Sequence, residues 1–334
     1  MKLLITGAGG FVGGALVRAA RAEGHDVTRL LRSARGLPSD GVPTIGVELG
    51  ANRTGAGSLT EALAGIEVVV HCAGRIRGSR REEFVRDNLR ATAEVLASAK
   101  LAGVRRVVHV GSTAVYGDRA AERGTVTEDS PLGYRISRLD WYSRTKLQAE
   151  EQVLAAIAAG GLEVVSVRPG WIVGPEDPTL ASLGERLGGM VFPLVGSGRN
   201  RLPVTSIGSV TRALLLAATS EEGAGRVYNL AQDEEITQRS FFEALAAAAG
   251  VKPRFLPVPA RMLGTAGLAA EILAALVPGF EAPVTRNAVA LLGLDALFPT
   301  ERIRKELGWE PVAPISEVLR DALADSVLGP PRRG

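Results

Sequence analysis

Leu3-Leu4-Ile5-Thr6-Gly7-Ala8-Gly9-Gly10-Phe11-Val12-Gly13 stands almost at the start of the chain and decides its fold class. A short apolar run ends at a turn with glycines at 7, 10 and 13, and Ala15-Leu16-Val17 then opens a helical pattern. Positions without side chains let a backbone come close to a pyrophosphate, and a helix N-terminus adds unpaired N–H groups and positive dipole. The spacing is weak by itself and becomes specific when it joins a first strand to a first helix. Gly7, Gly10, Phe11, Val12 and Gly13 are therefore expected to line a dinucleotide.

Outward from this turn, β-branched runs recur at Val27–Leu31, Val68–Cys72, Val107–Val110 and Val164–Val167, with helix-length segments at Phe11–Ala22, Leu59–Ala64, Arg81–Ala102 and Leu139–Ala159. Continuous apolar runs suit strands covered on both faces, and alternation with helices predicts an α/β fold with a doubly wound parallel sheet. After Pro169, prolines at 175, 178, 193 and 203 break the pattern. A further strand is expected at Arg226–Leu230, and helices at Gln238–Ala249 and Pro299–Leu307. This predicts a dinucleotide-binding domain over 1–170, to which 205–231 return. An interleaved, mainly helical substrate-binding region takes up 171–334, with a frayed tail at 329–334.

The end of the second strand selects between nicotinamide dinucleotides, because an acid there binds ribose hydroxyls and repels a phosphate. Here Leu31 occupies the acid's place, followed by Arg32 and Ser33. A guanidinium pairs with phosphate and a hydroxyl adds a donor, which favours NADP(H), with NAD(H) as the alternative.

Tyr142 and Lys146 sit four residues apart on an expected helix, so both project from one face. A phenol is a poor acid at neutral pH, and an adjacent ammonium stabilises its phenolate. Such a pair means little in isolation. Ser112 and Thr113, however, follow the strand Val107–Val110, at the carboxyl end where open α/β sheets bind ligands. A hydroxyl there can hydrogen-bond a substrate carbonyl as charge develops on its oxygen.

With these stretches in place, the chain resembles the extended short-chain dehydrogenases/reductases, within the NAD-dependent epimerase/dehydratase superfamily and its 3β-hydroxysteroid dehydrogenase-like branch. The resemblance rests on TGAGGFVG at 6–13, VVVHCAG at 68–74, Asn88, GSTAVYG at 111–117, YSRTKLQAE at 142–150, RPGWIVGP at 168–175 and RIRKELGWEP at 302–311. It covers nearly the whole chain and implies a Rossmann-type sheet. It further implies Tyr142 as general acid–base, Lys146 holding the nicotinamide ribose, and Ser112 polarising the carbonyl. Cys72, Ala73, Gly74, Asn88 and Pro169 would line the cofactor, with Glu48-Leu49 beside the adenine. Trp171, where sugar-nucleotide members commonly have Asn, and Ile207-Gly208-Ser209-Val210, lacking an acidic pair, depart from the sugar-nucleotide pattern. The segment Phe280–Arg286 is similar to the 3β-hydroxysteroid dehydrogenase-like branch.

Composition excludes other classes. Apolar residues at 46% and charged ones at 22% describe a globular chain. The net charge of +3 does not call for a nucleic-acid partner. Its densest basic cluster, Arg75–Arg81, reads as a solvated loop or a contact for an anionic substrate. One cysteine, Cys72, requires no oxidising compartment, and no signal peptide is visible, so a cytoplasmic protein is expected. Met262–Val277 is too short for a stable membrane span and reads as a core or pocket-covering helix, with shallow membrane contact as the alternative. No metal is expected, and a homodimer is left open. The leading expectation is an NADP(H)-dependent oxidoreductase that interconverts a ketone and a secondary alcohol on an apolar substrate, with Thr113 and Trp171 touching it. The alternatives are a nucleotide-sugar epimerase or dehydratase with tightly bound NAD, and a dinucleotide sensor without turnover.

Overall fold

The computed structural model describes residues 1–33, 40–51, 58–78, 80–117, 124–177, 179–188, 191–232, 234–277 and 286–328. Along the first half, β1 (Lys2–Thr6), α1 (Phe11–Ala22), β2 (Asp26–Leu31), β3 (Thr44–Gly46), α2 (Leu59–Ala62) and β4 (Val68–His71) follow in order. The single helix expected at Arg81–Ala102 is three pieces: α3 (Arg81–Phe84), a π-helical turn (Val85–Arg90) and α4 (Ala91–Leu101). Then come β5 (Arg106–Val110), a 3-10 turn (Thr113–Tyr116), α5 (Trp141–Ala159) and β6 (Glu163–Pro169).

The second half contains β7 (Trp171–Val173), α6 (Leu180–Leu187), β8 (Val191–Val195), β9 (Val204–Ser206), α7 (Ile207–Thr219) and β10 (Val227–Leu230). After these lie α8 (Gln238–Ala248), β11 (Arg254–Val258), α9 (Ala260–Leu276), α10 (Arg286–Gly293), α11 (Glu301–Leu307) and α12 (Ile315–Leu328). Seven strands form one parallel sheet in the order β10-β6-β5-β4-β1-β2-β3. Two small parallel sheets, β7–β9 and β8–β11, lie outside it.

Alternation along the strands shows why both faces are wound. Leu3 and Ile5 pack with Leu16, Val17 and Ala20 of α1 and Val210 and Leu214 of α7. Leu4, between them, packs on the other face with Leu59 and with Val95 and Ala99 of α4. A third cluster joins Val173 and Val204 to Phe241, Phe242 and Leu245 of α8 and Leu319 of α12. Trp309 is fully buried, and its indole N–H donates to the Ser209 carbonyl at 2.9 Å, tying the chain after α11 to α7.

One expectation about packing is corrected. Of the two readings for α9, the core one does not hold: among the described residues Met262, Leu268 and Leu273 are exposed, and the helix packed most extensively against it is α10. Among the described residues, no helix is long and apolar enough to cross a membrane. The segment 280–285, the tail 329–334, and Ser79 of the basic cluster lie outside the described residues.

Candidate active site

The residues singled out above converge on the carboxyl edge of the sheet, where β2 and β4 leave β1 on opposite sides. Gly7 has φ +64, and a Cβ there would lie 2.7 Å from the Ala73 backbone. A Cβ on Gly13 would sit 2.3 Å from the Gly7 carbonyl oxygen. Gly10 caps α1 without a side-chain hydrogen bond, so the N–H groups of its first turn, from Phe11 to Gly13, remain for a ligand. This is a cradle that side chains would fill, and it fits the pyrophosphate of a dinucleotide.

Behind the turn runs a buried chain of donors. The Ala73 N–H donates to Thr6 Oγ1 at 3.1 Å, and that hydroxyl donates to His71 Nδ1 at 2.8 Å. The Thr92 hydroxyl donates to the Asn88 carbonyl at 2.7 Å, which leaves its oxygen to accept from His71 Nε2 at 3.2 Å. Satisfying every partner assigns the proton to Nε2. His71 is neutral, since burial, followed by the charge of Lys146, lowers its pKa to about 3. The Asn88 side chain accepts from the Arg75 N–H at 2.6 Å and donates to Thr145 Oγ1 at 3.0 Å, fixing the loop after Cys72-Ala73-Gly74 against α5.

Ser112, Tyr142 and Lys146 come together beside this cradle. Ser112, 8% exposed, caps the 3-10 turn by accepting from the Ala114 N–H at 3.2 Å. Burial raises the pKa of the Tyr142 hydroxyl above the usual phenol value, opposed by a hydrogen bond with Ser112. Lys146, also 8% exposed, donates to the Val110 carbonyl at 2.7 Å. Burial lowers its pKa from 10.5 to about 8, against the attraction of Glu150. The expected depression of the tyrosine by Lys146 is therefore not the dominant influence on Tyr142 here, since its ammonium is directed to β5. Burial also pushes the Cys72 thiol up to about 12. Thr113 is buried next to Ser112, Pro169 closes β6, and Trp171 packs tilted against Phe241 with ring centroids 4.8 Å apart.

The sequence model of the NAD dependent epimerase/dehydratase family matches residues 3–231. The chain belongs to that family. It is 34% identical, over 92% of each chain, to a 4-hydroxy-2-methyl-3-oxo-4-farnesyl-3,4-dihydroquinoline-1-oxide ketoreductase of Stigmatella aurantiaca. It is 30% identical to a 2-alkyl-3-oxoalkanoate reductase of Stenotrophomonas maltophilia, over 98% of this chain and 99% of that one. Among solved structures, gox2253 superposes with a TM-score of 0.77 at 26% identity, over 97% of both chains. This member of the family is an NAD(P)-dependent oxidoreductase.

Around that site stand residues that sequence reading passed over. Glu150, fully buried and one turn beyond Lys146, accepts from Ser166 Oγ at 2.8 Å and Arg168 Nε at 2.8 Å. Arg168 Nη1 donates to the Tyr116 hydroxyl at 2.7 Å, which donates to Asn229 Oδ1 at 2.7 Å. Two signals mark this network: Tyr142, Lys146 and Glu150 share a four-residue spacing, and Arg168 interrupts an otherwise apolar strand. At the β2 end, Leu31 lies 3.2 Å from where a Gly9 Cβ would be. Arg32 next to it is paired with Asp87 at 3.0 Å rather than merely solvated. Glu48 faces Arg86 at 3.9 Å, and Leu49 packs into the cluster under β1 and β4. Ser33 is exposed beside Arg32. In the basic cluster, Arg75 pairs with Asp87 and Glu83, Arg80 with Glu83, and Arg81 lies over the Trp141 ring.

Proposed function

We propose that the chain is a ketone reductase, or in reverse a secondary-alcohol dehydrogenase, with NADP(H) as preferred cofactor and a largely apolar substrate. The observation that carries this reading is the grouping of Ser112, Tyr142 and Lys146 beside a glycine cradle. A bound NADP(H) would supply the hydride for reduction of the carbonyl, or accept it in the reverse direction. Tyr142 donates its hydroxyl proton to the carbonyl oxygen, Ser112 orients that oxygen, and Lys146 holds the nicotinamide ribose. Gly7, Gly10 and Phe11 to Gly13 hold the pyrophosphate, while Cys72 to Gly74, Asn88 and Pro169 line the cofactor and Glu48-Leu49 border the adenine. Arg32 and Ser33 supply donors for a 2′-phosphate where Leu31 offers no carboxylate.

Trp171 and Thr113 border the substrate. The indole presents apolar surface where a sugar diphosphate would require paired polar groups, and an unpaired phosphate there would be strongly unfavourable. Similarity to reductases of a farnesylated ketone and of a 2-alkyl-3-oxoalkanoate supports the same direction. Steroid-like ketones, β-keto acids and aryl ketones are the classes to screen.

The test follows NADPH absorbance with these ketones and compares Tyr142→Phe. Turnover on at least one bulky ketone is expected, falling roughly 10²–10⁴-fold in the variant with cofactor affinity little changed. Tight binding of UDP- or TDP-sugars, with every ketone inert, would replace this reading by the epimerase one.

A further inference from the structure

Asp87 belongs to the π-helical turn Val85–Arg90, a wide turn that re-aims consecutive side chains. Asn88 goes inward to the Arg75 backbone, and Asp87 gathers three guanidiniums. Arg86 Nε donates to its Oδ1 at 2.7 Å, Arg32 Nη2 to the same oxygen at 3.0 Å, and Arg75 Nε to Oδ2 at 2.9 Å. Arg32 leaves the carboxyl end of β2 and Arg75 follows β4, so one carboxylate joins the strand ends on both sides of β1. The Asp87 side chain is 10% exposed, whereas that of Arg32 is 56% exposed. Hydrogen bonds from Arg86 and Arg75 and the charge of Arg32 outweigh burial and keep the carboxyl ionised.

We propose that Asp87 is a positioning residue for cofactor selection, holding the Arg32 guanidinium at the β2 end so that its remaining donors meet a phosphate monoester on the adenosine ribose. This rests on the reading of Arg32 as the 2′-phosphate ligand. A free arginine side chain loses much rotamer entropy when it captures a ligand, and a tether removes part of that cost beforehand. Asp87 is itself anchored by Arg75 and Arg86, so it acts as a fixed post. Its charge does not turn the locality against an anion. Arg32, Arg75, Arg80 and Arg86 stand against Asp87, Glu48 and Glu83, leaving an excess of positive charge.

The experiment is calorimetric titration of NADPH and NADH into the unmodified protein, Asp87→Asn, Arg32→Ala and the double variant, with melting curves to confirm folding. Asparagine keeps the shape of the side chain, and all three guanidiniums reach solvent, so the fold is expected to tolerate the change. Asp87→Asn should weaken NADPH roughly 5- to 10-fold, with NADH within about twofold. That effect should vanish in the Arg32→Ala background, and Asp87→Glu should recover part of it. Unchanged or tighter NADPH binding in Asp87→Asn, or an equal loss for both dinucleotides, would overturn the inference. If Arg32→Ala weakens NADPH while Asp87→Asn does not, the inference alone fails. If Arg32→Ala has no effect on NADPH, the 2′-phosphate reading fails with it.

Discussion

Lys146 carries a charge where there is almost no water, and this has a thermodynamic sign. Its pKa is about 8 in the folded chain against 10.5 for the free side chain, so between those values the unfolded state binds more protons. Stability from this group therefore rises as pH climbs from about 8 to about 10.5, and below pH 8 the folded state bears the full penalty, ~3 kcal/mol. Lys146→Met should consequently raise the unfolding free energy at pH 7 while turnover collapses. The gain should shrink toward pH 10.5. Urea titrations at several pH values check this, and a variant less stable than the parent at pH 7 would contradict it. A destabilising residue retained at that position suits a functional role better than a structural one.

At the scale of elements, α5 is held to β6 by a buried ion pair as well as by apolar packing. Glu150 is fully buried and Arg168 is 1% exposed. Gly111 makes room for this arrangement, since a Cβ there would stand 2.9 Å from Glu150 Oε2. Removing one partner leaves the other charge buried and uncompensated, so Glu150→Gln should cost about 3–5 kcal/mol in denaturant unfolding. Replacing Arg168 by Leu in the same chain should return part of that loss, because an apolar pair avoids the desolvation. A double variant less stable than Glu150→Gln would instead assign the stability to the bonds of Arg168 with Tyr116. Tyr142 and Lys146 ride on this helix, so the same pair sets their placement relative to Ser112.

For the molecule as a whole, two of the three histidines are buried at the centre of the sheet, ring to ring at 5.6 Å. Burial is the first cause of both shifts: His71 falls from 6.5 to about 3, and His109 falls well below 6.5. Both stay neutral in the fold, whereas the unfolded chain protonates them below pH 6.5. Their contribution is complete above pH 6.5 and is lost as pH falls through the window toward 3. Unfolding free energy should therefore decline by roughly 1.4 kcal/mol per pH unit for each histidine below 6.5. Urea midpoints between pH 7 and 5, where few carboxylates titrate, isolate this slope, and a flat profile there would refute it.

What the sequence by itself determined is whatever rests on local pattern. The glycine turn, the buried strands of β1, β4, β5 and β6, and the face shared by Tyr142 and Lys146 all follow from spacing and steric rules that act within a few residues. The helix expected at Pro299–Leu307 was legible in the same way and forms as Glu301–Leu307, where Gly308 with φ +63 ends it. The short strands β3, β7, β8, β9 and β11 were not legible. Several are only three residues long, and each forms because a distant segment supplies its hydrogen-bond partners. The same holds for α9, whose composition reads as a core or pocket-covering helix and whose position leaves Met262, Leu268 and Leu273 exposed. Tertiary structure alone decided the pairings of Arg32 with Asp87, Glu150 with Arg168 and Trp171 with Phe241, which join positions 55, 18 and 70 residues apart. Charge and ring contacts act through space, and only the folded sheet brings those groups within their range.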